Sequence, residues 1–384
     1  MSEVEVTEFS VTDWQLIGLT LERIGPFQER RQFTFAGDTP PLEAQDEPPG
    51  PSNLYMLLAR NGHGKTTVLE AIHGLFGLMA APQQGRFVDP AAPGEAQLDM
   101  RATWTINGAT RTILLSLWTG RATPLREWDE AALEEEAQAT QWVRLGLLRT
   151  GDRLTCYDTT DELGLTLLRT IQQSAGRAPA SAFGETLYLP TVLFFPADRM
   201  LLRPEGRRVI EAPDNWRYQP AHCFRVDGEV WNGSIENLFA WLTWVDDGQL
   251  DRLLKFVNDH IFKEDGKELL SMERAELTSY VSTRDGTHPL VSLSHGERAL
   301  LQLYLRTIAH MSRNTILLID EIEMHLHTAW MNRMFQTLKQ LLVDIPSLSI
   351  FFTTHSRELA EVFDFKRLES GITKGGYVIN EGLG

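Results

Sequence analysis

The stretch ARNGHGKTT, Ala59–Thr67, follows the apolar run NLYMLL and precedes VLEAIHGLFGLM, which is typical of a helix. A glycine-rich turn between a strand and a helix points backbone N–H groups at phosphate, and the helix adds its positive N-terminal end. The plain alternative is an ordinary glycine-rich turn that binds nothing. Ala59 replaces the usual first glycine, a small departure because the turn forms closer to the lysine. The candidate nucleotide-binding residues are Asn61, Gly62, His63, Gly64, Lys65, Thr66 and Thr67, and Thr66 is also a candidate Mg²⁺ ligand.

The composition is that of a folded, acidic chain. Its 384 residues are 42% hydrophobic, enough for one large or two ordinary domains with a sizeable core. The formal charge of -16 argues against binding to nucleic acid through the overall electrostatic field of the protein. Only a local basic groove could bind nucleic acid. Cys156 and Cys223 are far apart, so neither a disulfide framework nor a zinc site is indicated. With no signal-peptide pattern and no run of about 18 apolar residues, we expect a soluble cytoplasmic protein.

Alternation of apolar and polar residues predicts β-hairpins in the first half of the chain. Asn107-Gly108 is the strongest of the turn signals. The acidic run 127–138 is typical of a solvated helix or loop, and the proline-rich segment 37–52 of a surface loop. The predicted hairpins are 14–35 turning at Gly25-Pro26, 97–118 turning at Asn107-Gly108, and 142–158 turning at Gly151-Asp152.

The rest of the chain, from residue 191 onward, contains both strands and amphipathic helices. TVLFFPADR, 191–199, predicts a buried strand, and 234–262 predicts two helices broken at Asp247-Gly248. The tryptophans near this break favour core or a partner surface over a platform for stacked bases. From residue 277 a hairpin, a helix, a buried strand, a helix and a second buried strand follow in turn. Fully apolar strands that alternate with helices predict a parallel sheet covered on both faces.

Two buried strands end in residues suited to phosphate chemistry. ILLIDE would deliver Asp320 to a magnesium ion and Glu321 to an attacking water at the edge of the sheet. FFTTHS places Thr354 and His355 at the end of the adjacent predicted strand, where the ring could reach a γ-phosphate or the water. A structural histidine and a strand that simply ends in acids are the alternatives. The upstream Lys65 favours the catalytic interpretation.

A second helix N-terminus offers another phosphate site. LSHGE, Leu293–Glu297, precedes a strong helix, so Ser294 and the Gly296 amide lie at its positive end, with Glu297 beside them. One nucleotide does not need two such sites from one chain. We therefore expect LSHGE of each chain to cover the γ-phosphate held by a partner's ARNGHGKTT, which gives shared ATP sites in a homodimer or a higher even-numbered oligomer.

The order ARNGHGKTT, LSHGE, ILLIDE, TTHS resembles the ABC-type ATPase heads, and within them the RecF, SMC and OLD group. The opening LTLERIGPFQ resembles that group's first strand and Gly-Pro-Phe turn, and DEIEMHLH with TTHSREL resembles the OLD-like ATPases. The resemblance covers roughly residues 14–118 and 283–384. It implies a P-loop fold with a mixed or parallel core sheet between helices, an antiparallel β subdomain and an inserted helical lobe. The implied roles are phosphate for Lys65, magnesium for Thr66 and Asp320, trans signature for Ser294, catalytic base for Glu321 and switch histidine for His355.

The resemblance also implies domain boundaries. They are 1–13 for an N-terminal tail, 14–118 for the lobe with the phosphate loop, 119–282 for an inserted hairpin and helical lobe, and 283–384 for the remaining ATPase core.

The chain departs from the group's pattern at several positions. His295 stands where glycine is usual, and the magnesium-sensing glutamine has no clear equivalent. The open alternatives for that glutamine are Asp198, Gln83 and Gln84, and those for an arginine near the phosphates are Arg86 and Arg60.

The function implied is an ATP-dependent switch that binds MgATP, dimerises and hydrolyses slowly. The architecture resembles stand-alone ATPase subunits of bacterial anti-phage systems, such as the AriA and PtuA types, because the chain ends without a nuclease and the effector would be a separate protein. The alternative is a RecF-like clamp that binds DNA directly. The Gly-Pro-Phe strand and the LSHGE form speak against a transporter motor. Candidate arginines for a DNA groove are Arg203, Arg207, Arg208, Arg217 and Arg225, interleaved with Glu205 and Glu211, and a solvated surface is the favoured interpretation of them.

Overall fold

The computed structural model describes fifteen strands and eight α-helices over most of the chain. The described residues are 9–39, 42, 50–80, 94–151, 153–175, 189–199, 204, 208–213, 216–225, 231–263, 266–273, 277–324, 326–364 and 366–379. The strands are β1 Phe9–Glu22, β2 Arg31–Thr34, β3 Leu54–Leu58, β4 Glu95–Ile106, β5 Ala109–Thr119, β6 Gln141–Thr150, β7 Arg153–Cys156, β8 Pro190–Phe195, β9 Ala221–Cys223, β10 Glu268–Leu269, β11 Tyr280–Thr283, β12 Gly286–Pro289, β13 Asn314–Ile319, β14 Ser349–Thr354 and β15 Lys374–Val378. The helices are α1 Lys65–Leu78, α2 Glu130–Glu135, α3 Glu162–Ser174, α4 Ile235–Val245, α5 Gln249–Val257, α6 His295–His310, α7 Thr328–Asp344 and α8 Arg357–Phe363.

The central sheet is parallel throughout, in the order β15-β3-β14-β13-β8-β9. Its middle strands are buried along their whole length because both faces are covered. Ile316 and Leu318 of β13 face one hydrophobic cluster, whereas Leu317 and Ile319 face the other. The predicted α/β fold with a helix-flanked core sheet is confirmed. The strands β3, β14 and β13 lie side by side, so the three motifs that follow them meet at one edge.

A second sheet, β2-β1-β4-β5-β6-β7, is antiparallel except where β5 runs parallel to β6. Helix α1 contacts strands of both sheets, and its buried side chains, such as Val68, Ile72 and Phe76, belong to one core with them. On the opposite face of the parallel sheet, residues of α4 to α8 form the other core with β8, β13 and β14. Helix α1, which follows the phosphate loop, therefore packs against strands of both sheets.

The predicted hairpins are confirmed by the register of β1 with β2, β4 with β5, β6 with β7 and β11 with β12. Asn107 and Gly108 have φ of 50° and 77°, as a tight hairpin turn requires. The acidic run forms α2, which buries none of its residues. Helices α4 and α5 break at the expected dipeptide, where Asp246 and Gly248 have positive φ. Most of the predicted 37–52 loop, and Asp152, lie outside the described residues.

Three features differ from the sequence predictions. Strand β1 begins at Phe9, inside the segment expected to be a tail, because Phe9 pairs with Ile106 at the end of the long β4. The range 119–282 is not a separate insertion, since it contributes β8 and β9 to the parallel sheet and β6 and β7 to the mixed one. The strand after α8 has no counterpart among the predicted elements, and it pairs parallel with β3 as β15. These pairings join segments far apart in the chain, which periodicity alone does not specify.

The tryptophans of the α4 region are divided between core and surface. Trp231 is buried, and Trp241 stacks on Trp244 with ring centroids 5.1 Å apart. Trp244 is 64% exposed. Across the described residues, no helix combines the length and apolar character that a membrane span needs.

Candidate nucleotide-binding site

The phosphate loop turns sharply between β3 and α1. Gly62 and Gly64 have φ of 83° and 89°, in the left-handed region that favours glycine. Ala59 does not have a positive φ, and its N–H donates to Thr354 O at 3.3 Å in continuation of the sheet. The residue at 59 therefore needs no glycine, which explains physically why alanine is accommodated there. His63 Nδ1 lies 3.1 Å from Asn61 O within the turn.

The Gly-Pro-Phe turn packs directly on this loop. A Cβ at Gly64 would lie 2.5 Å from Phe27 Cζ and 2.7 Å from Pro26 Cγ, whereas a Cβ at Gly62 would meet open space. Phe27 is itself buried, so its ring has little room to move. The resemblance of the first strand and its turn to a known group therefore has a structural basis, because the turn supports one side of the phosphate loop.

The different surroundings of Gly62 and Gly64 predict that alanine substitutions at these two positions have unequal effects. Gly62→Ala strains the backbone only, so we expect a loss of about 1 kcal/mol in the free energy of unfolding. Gly64→Ala adds a steric clash to the same strain, so the expected loss is about 3 kcal/mol together with weaker nucleotide binding. Urea unfolding of the two variants beside the wild type measures both values. Equal losses would contradict the packing of Phe27 against Gly64.

Lys65 is buried at the start of α1. Its Nζ donates to Ala59 O at 2.8 Å and to Arg60 O at 3.1 Å, and lies 3.5 Å from Asn61 Oδ1. Burial lowers the pKa of Lys65, and the nearby carboxylates, chiefly that of Glu321, oppose this shift. The ammonium is thus folded back on the loop carbonyls, in a position from which a phosphate oxygen could replace them as acceptor.

Asp320 joins the helix and the two neighbouring strands. Thr66 Oγ1 donates to Asp320 Oδ2 at 2.7 Å, and Thr353 Oγ1 donates to Asp320 Oδ1 at 2.6 Å. Asp320 is buried at the end of β13, and Thr353 lies in β14. A hydroxyl and a carboxylate oxygen are the hard ligands that Mg²⁺ prefers, with phosphate oxygens and waters completing its coordination. The two predicted metal ligands are therefore brought together, and their chemistry fits the ion.

Glu321 has an unusual backbone. Its φ of 42° lies in the left-handed region, which costs a residue other than glycine about 1–2 kcal/mol. Its N–H donates to Thr353 Oγ1 at 2.8 Å, so the same hydroxyl that supports Asp320 also holds the strained turn. Backbone strain of this kind clusters at active sites and ligand-binding turns.

Arg199 is part of this edge, although from the same FFPADR segment the sequence analysis named only Asp198, as one of three alternatives for the magnesium-sensing glutamine. Asp198 is exposed, whereas the Arg199 side chain is buried. Its Nη1 donates to Asp320 O at 2.6 Å and its Nη2 to Glu321 O at 3.0 Å. The sequence feature that could have identified Arg199 is its position shortly after a buried strand, at the edge where the parallel strands end.

Glu323 is the other residue that the sequence reasoning missed. Its Oε1 accepts from His355 N at 2.8 Å and lies 2.9 Å from His355 Nδ1. The imidazole is 48% exposed while the carboxylate side chain is 11% exposed. With Nδ1 directed at the carboxylate, Nε2 is the ring nitrogen that remains for a phosphate or a water. The sequence feature that could have identified Glu323 is the spacing Asp320-Glu321-x-Glu323, in which a third acid closely follows the first two.

The LSHGE segment forms a capped helix start. Ser294 Oγ accepts from Glu297 N at 3.3 Å, and Ser294 N donates to Glu297 Oε2 at 3.0 Å, which is a capping box. Lys267 also pairs with Glu297, and the Glu297 pKa is lowered by its bonds to Lys267 and Ser294 against the opposing effect of burial. Glu297 is therefore engaged within its own chain, while Gly296 follows His295 in the first turn of α6.

The remaining arginine candidates are placed as follows. Arg225 pairs with Glu70 of α1 at 3.3 Å, and Arg208 lies 3.8 Å from Glu236 and over the Trp231 ring. Arg60 and Arg217 are exposed. Gln83, Gln84, Arg86, Arg203, Glu205 and Arg207 lie outside the described residues. The described arginines that pair with acids are thus partly neutralised, which disfavours a basic groove.

Residues 233–361, about a third of the chain, match the family described as AAA domain, putative AbiEii toxin, Type IV TA system. This range contains LSHGE, ILLIDE and TTHS, while the phosphate loop lies before it and adjoins the same sheet edge. The order of these motifs resembles that of an ABC-type ATPase head. No curated protein matches the chain.

Three solved structures are similar over most of their length at low identity. The SMC head domain from Thermotoga maritima is 14% identical, with a TM-score of 0.37 and coverage of 91% of this chain and 92% of that one. An SMC head bound to the C-terminal winged-helix domain of ScpA is 10% identical, with a TM-score of 0.39 and coverage of 89% and 90%. A dimeric ATP-binding cassette with ADP and Pi, in a post-hydrolysis state, is 12% identical, with a TM-score of 0.29 and coverage of 90% and 90%.

Proposed function

We propose that the chain is an ATPase that binds MgATP at the edge of the parallel sheet and closes a homodimer around it. The observation that carries this proposal is the hydrogen-bonded set Thr66–Asp320–Thr353, which ties the phosphate-loop helix to β13 and β14. The backbone turn of Gly62 to Gly64 binds phosphate through its N–H groups, and the α1 dipole favours the negative charge. Lys65 exchanges its loop carbonyls for the β- and γ-phosphate oxygens.

The magnesium ion belongs to the same site. Thr66 Oγ1 and Asp320 would hold it, and it would neutralise charge that develops on the phosphates during transfer. Glu321 lies next in the chain and accepts a proton from the attacking water as a general base. His355, oriented by Glu323, faces the γ-phosphate side through Nε2. Asp320 and Glu321 follow the carboxyl end of β13, and His355 follows the carboxyl end of β14 in the same parallel sheet.

The second half of each site comes from the partner chain in this proposal. Ser294 and the N-terminal end of α6 supply hydroxyl and amide groups to the γ-phosphate bound by the other copy. Closure then depends on ATP, and hydrolysis reopens the dimer, so that energy is converted into a change of conformation.

We further propose that this switch controls a separate effector protein, a nuclease, in a bacterial anti-phage system. The motif-level resemblance to stand-alone defence ATPases supports the role. The description of the matched family also names a putative toxin. Co-purification with the Glu321→Gln chain in the presence of MgATP tests it, because a trapped dimer retains its effector. Recovery of DNA in place of a protein would favour a direct DNA clamp.

A pair of substitutions at Ser294 tests the trans contact. Aspartate and asparagine both cap helices well, so either should preserve the first turn of α6. Only aspartate puts a negative charge against the γ-phosphate of the partner site, and like charges in an interface cost several kcal/mol. We expect Ser294→Asp to weaken ATP-dependent dimerisation at least about tenfold relative to Ser294→Asn, as measured by light scattering.

MgATP binding by the monomer should be similar in both variants, since Lys65 and the phosphate loop are unchanged. Equal dimerisation of the two variants would place the interface elsewhere. Loss of nucleotide binding by Ser294→Asp alone would place Ser294 in the site of its own chain.

A further inference from the structure

Arg199 is a buried cation that binds only backbone carbonyls among its identified partners. Its side chain is 2% exposed. Nη1 donates to Asp320 O at 2.6 Å and to Pro196 O at 3.2 Å, and Nη2 donates to Glu321 O at 3.0 Å and to Ile322 O at 3.1 Å. One guanidinium therefore spans three consecutive carbonyls after β13 and one after β8. A planar fork with several fixed donors can do this, whereas a single ammonium cannot.

The charge of Arg199 also faces the acidic edge of the sheet. Burial lowers the pKa of Arg199 to about 10, and the neighbouring carboxylates of Asp320, Glu323 and Glu321 oppose this shift. The side chain stays protonated at neutral pH and offsets part of the repulsion among the three acids. Its removal would leave the repulsion among those acids without a compensating buried charge.

The segment that Arg199 holds is the strained one. Glu321 keeps a φ of 42° because its N–H is bound by Thr353 Oγ1 on one side and its carbonyl by Arg199 on the other. The backbone conformation of a residue fixes the direction in which its side chain leaves the chain. Release of these carbonyls would let the turn relax toward negative φ and would re-aim the carboxylate.

We infer that Arg199 is a positioning residue that sets the Glu321 carboxylate for water activation. The inference rests on the proposed ATPase function, and it assigns to Arg199 an effect on turnover and not on nucleotide affinity. The reason is spatial. The Asp320 carboxylate is held independently by the hydroxyls of Thr66 and Thr353, and Lys65 is held by the carbonyls of the phosphate loop itself. The identified hydrogen bonds of Arg199 reach only the backbone of the turn that carries Glu321 and the Pro196 carbonyl after β8.

Arg199→Lys tests this inference, with Arg149→Lys as the matched control. Arg149 is likewise buried and donates from Nη2 to Leu78 O at 3.2 Å and to Ala80 O at 3.0 Å, at the C-terminal end of α1. We expect kcat of Arg199→Lys to fall about tenfold to a hundredfold, with KM and the Kd for MgATP within about twofold of the wild type. Arg149→Lys should lower thermal stability to a similar extent and leave kcat of the folded enzyme unchanged.

The outcomes separate the inference from the proposed function. Equal kcat for Arg199→Lys and the wild type, or equal losses in the two arginine variants, overturns the inference and leaves the ATPase in place. A wild-type chain that binds no MgATP removes the proposed function and the inference with it. If Arg199→Lys does not fold, Arg199→Gln replaces it, since a neutral amide buries no misplaced charge. The same loss of kcat at constant Kd is expected, and an unchanged kcat overturns the inference.

Discussion

Replacement of Glu321 by glutamine should trap the chain as an ATP-bound dimer. Glutamine keeps the size and most hydrogen-bonding capacity of the side chain but cannot accept the proton of the attacking water, so hydrolysis should slow about a thousandfold. In the proposed site, magnesium and nucleotide binding depend on Lys65, Thr66 and Asp320, which are unchanged in this variant. The dimer, once closed, should then persist because its reopening step is blocked.

Light scattering with and without MgATP measures this directly, with the mass expected to double only when nucleotide is present. The nucleotide-free mass is measured first, since an existing oligomer would set the baseline. Glu361→Gln is the control, because Glu361 is an exposed carboxylate on α8. A Glu321→Gln chain that kept the same mass in MgATP as without it would count against the shared site.

The second large effect is expected for Lys65→Ala. Charge-assisted hydrogen bonds to phosphate are among the strongest in proteins, so we expect MgATP affinity to fall by at least about a hundredfold. Titration calorimetry of the purified chain measures the affinity. ATP-dependent dimerisation should disappear together with binding.

Lys65 also has a structural role, because its Nζ binds two loop carbonyls, so a matched control is needed. Lys374 is likewise buried and donates to Asp364 O at 3.0 Å and to Arg367 O at 2.9 Å, at the opposite edge of the parallel sheet from β9. Lys374→Met should destabilise the fold by about 1–3 kcal/mol and leave MgATP affinity within about twofold. An equal loss of affinity in both variants would attribute the effect to folding and not to phosphate recognition.

Local signals in the sequence were sufficient for many elements of the fold. Asn107-Gly108 forms a tight turn wherever alternating segments flank it, and the apolar run before Asp320 forms a buried strand because its period admits no exposed face. The start of α6 could be predicted in the same way, because Ser294 and Glu297 are three residues apart and cap the helix reciprocally. These predictions depend on contacts within a few residues.

The tertiary structure decided which contacts form between segments that are distant in the sequence. Arg199 and Asp320 are 121 residues apart, and only the parallel pairing of β8 with β13 brings the guanidinium to the carbonyl. Asp198 has the more familiar metal-binding chemistry, yet it is exposed, because the backbone after β8 turns its neighbour Arg199 inward. Periodicity shows that a strand is buried but not which strand lies beside it.

The sequence by itself determined a phosphate loop, a strand ending in two acids and a capped helix, since each is specified by residues close together in the chain. The tertiary structure alone decided that Phe27 closes over Gly64, that Thr353 and Arg199 hold the two sides of Glu321, and that residues 119–282 complete the core sheet. The physical reason is that these contacts form only after strands remote in sequence have paired, and the free energy of that pairing comes from burying both faces of the sheet together.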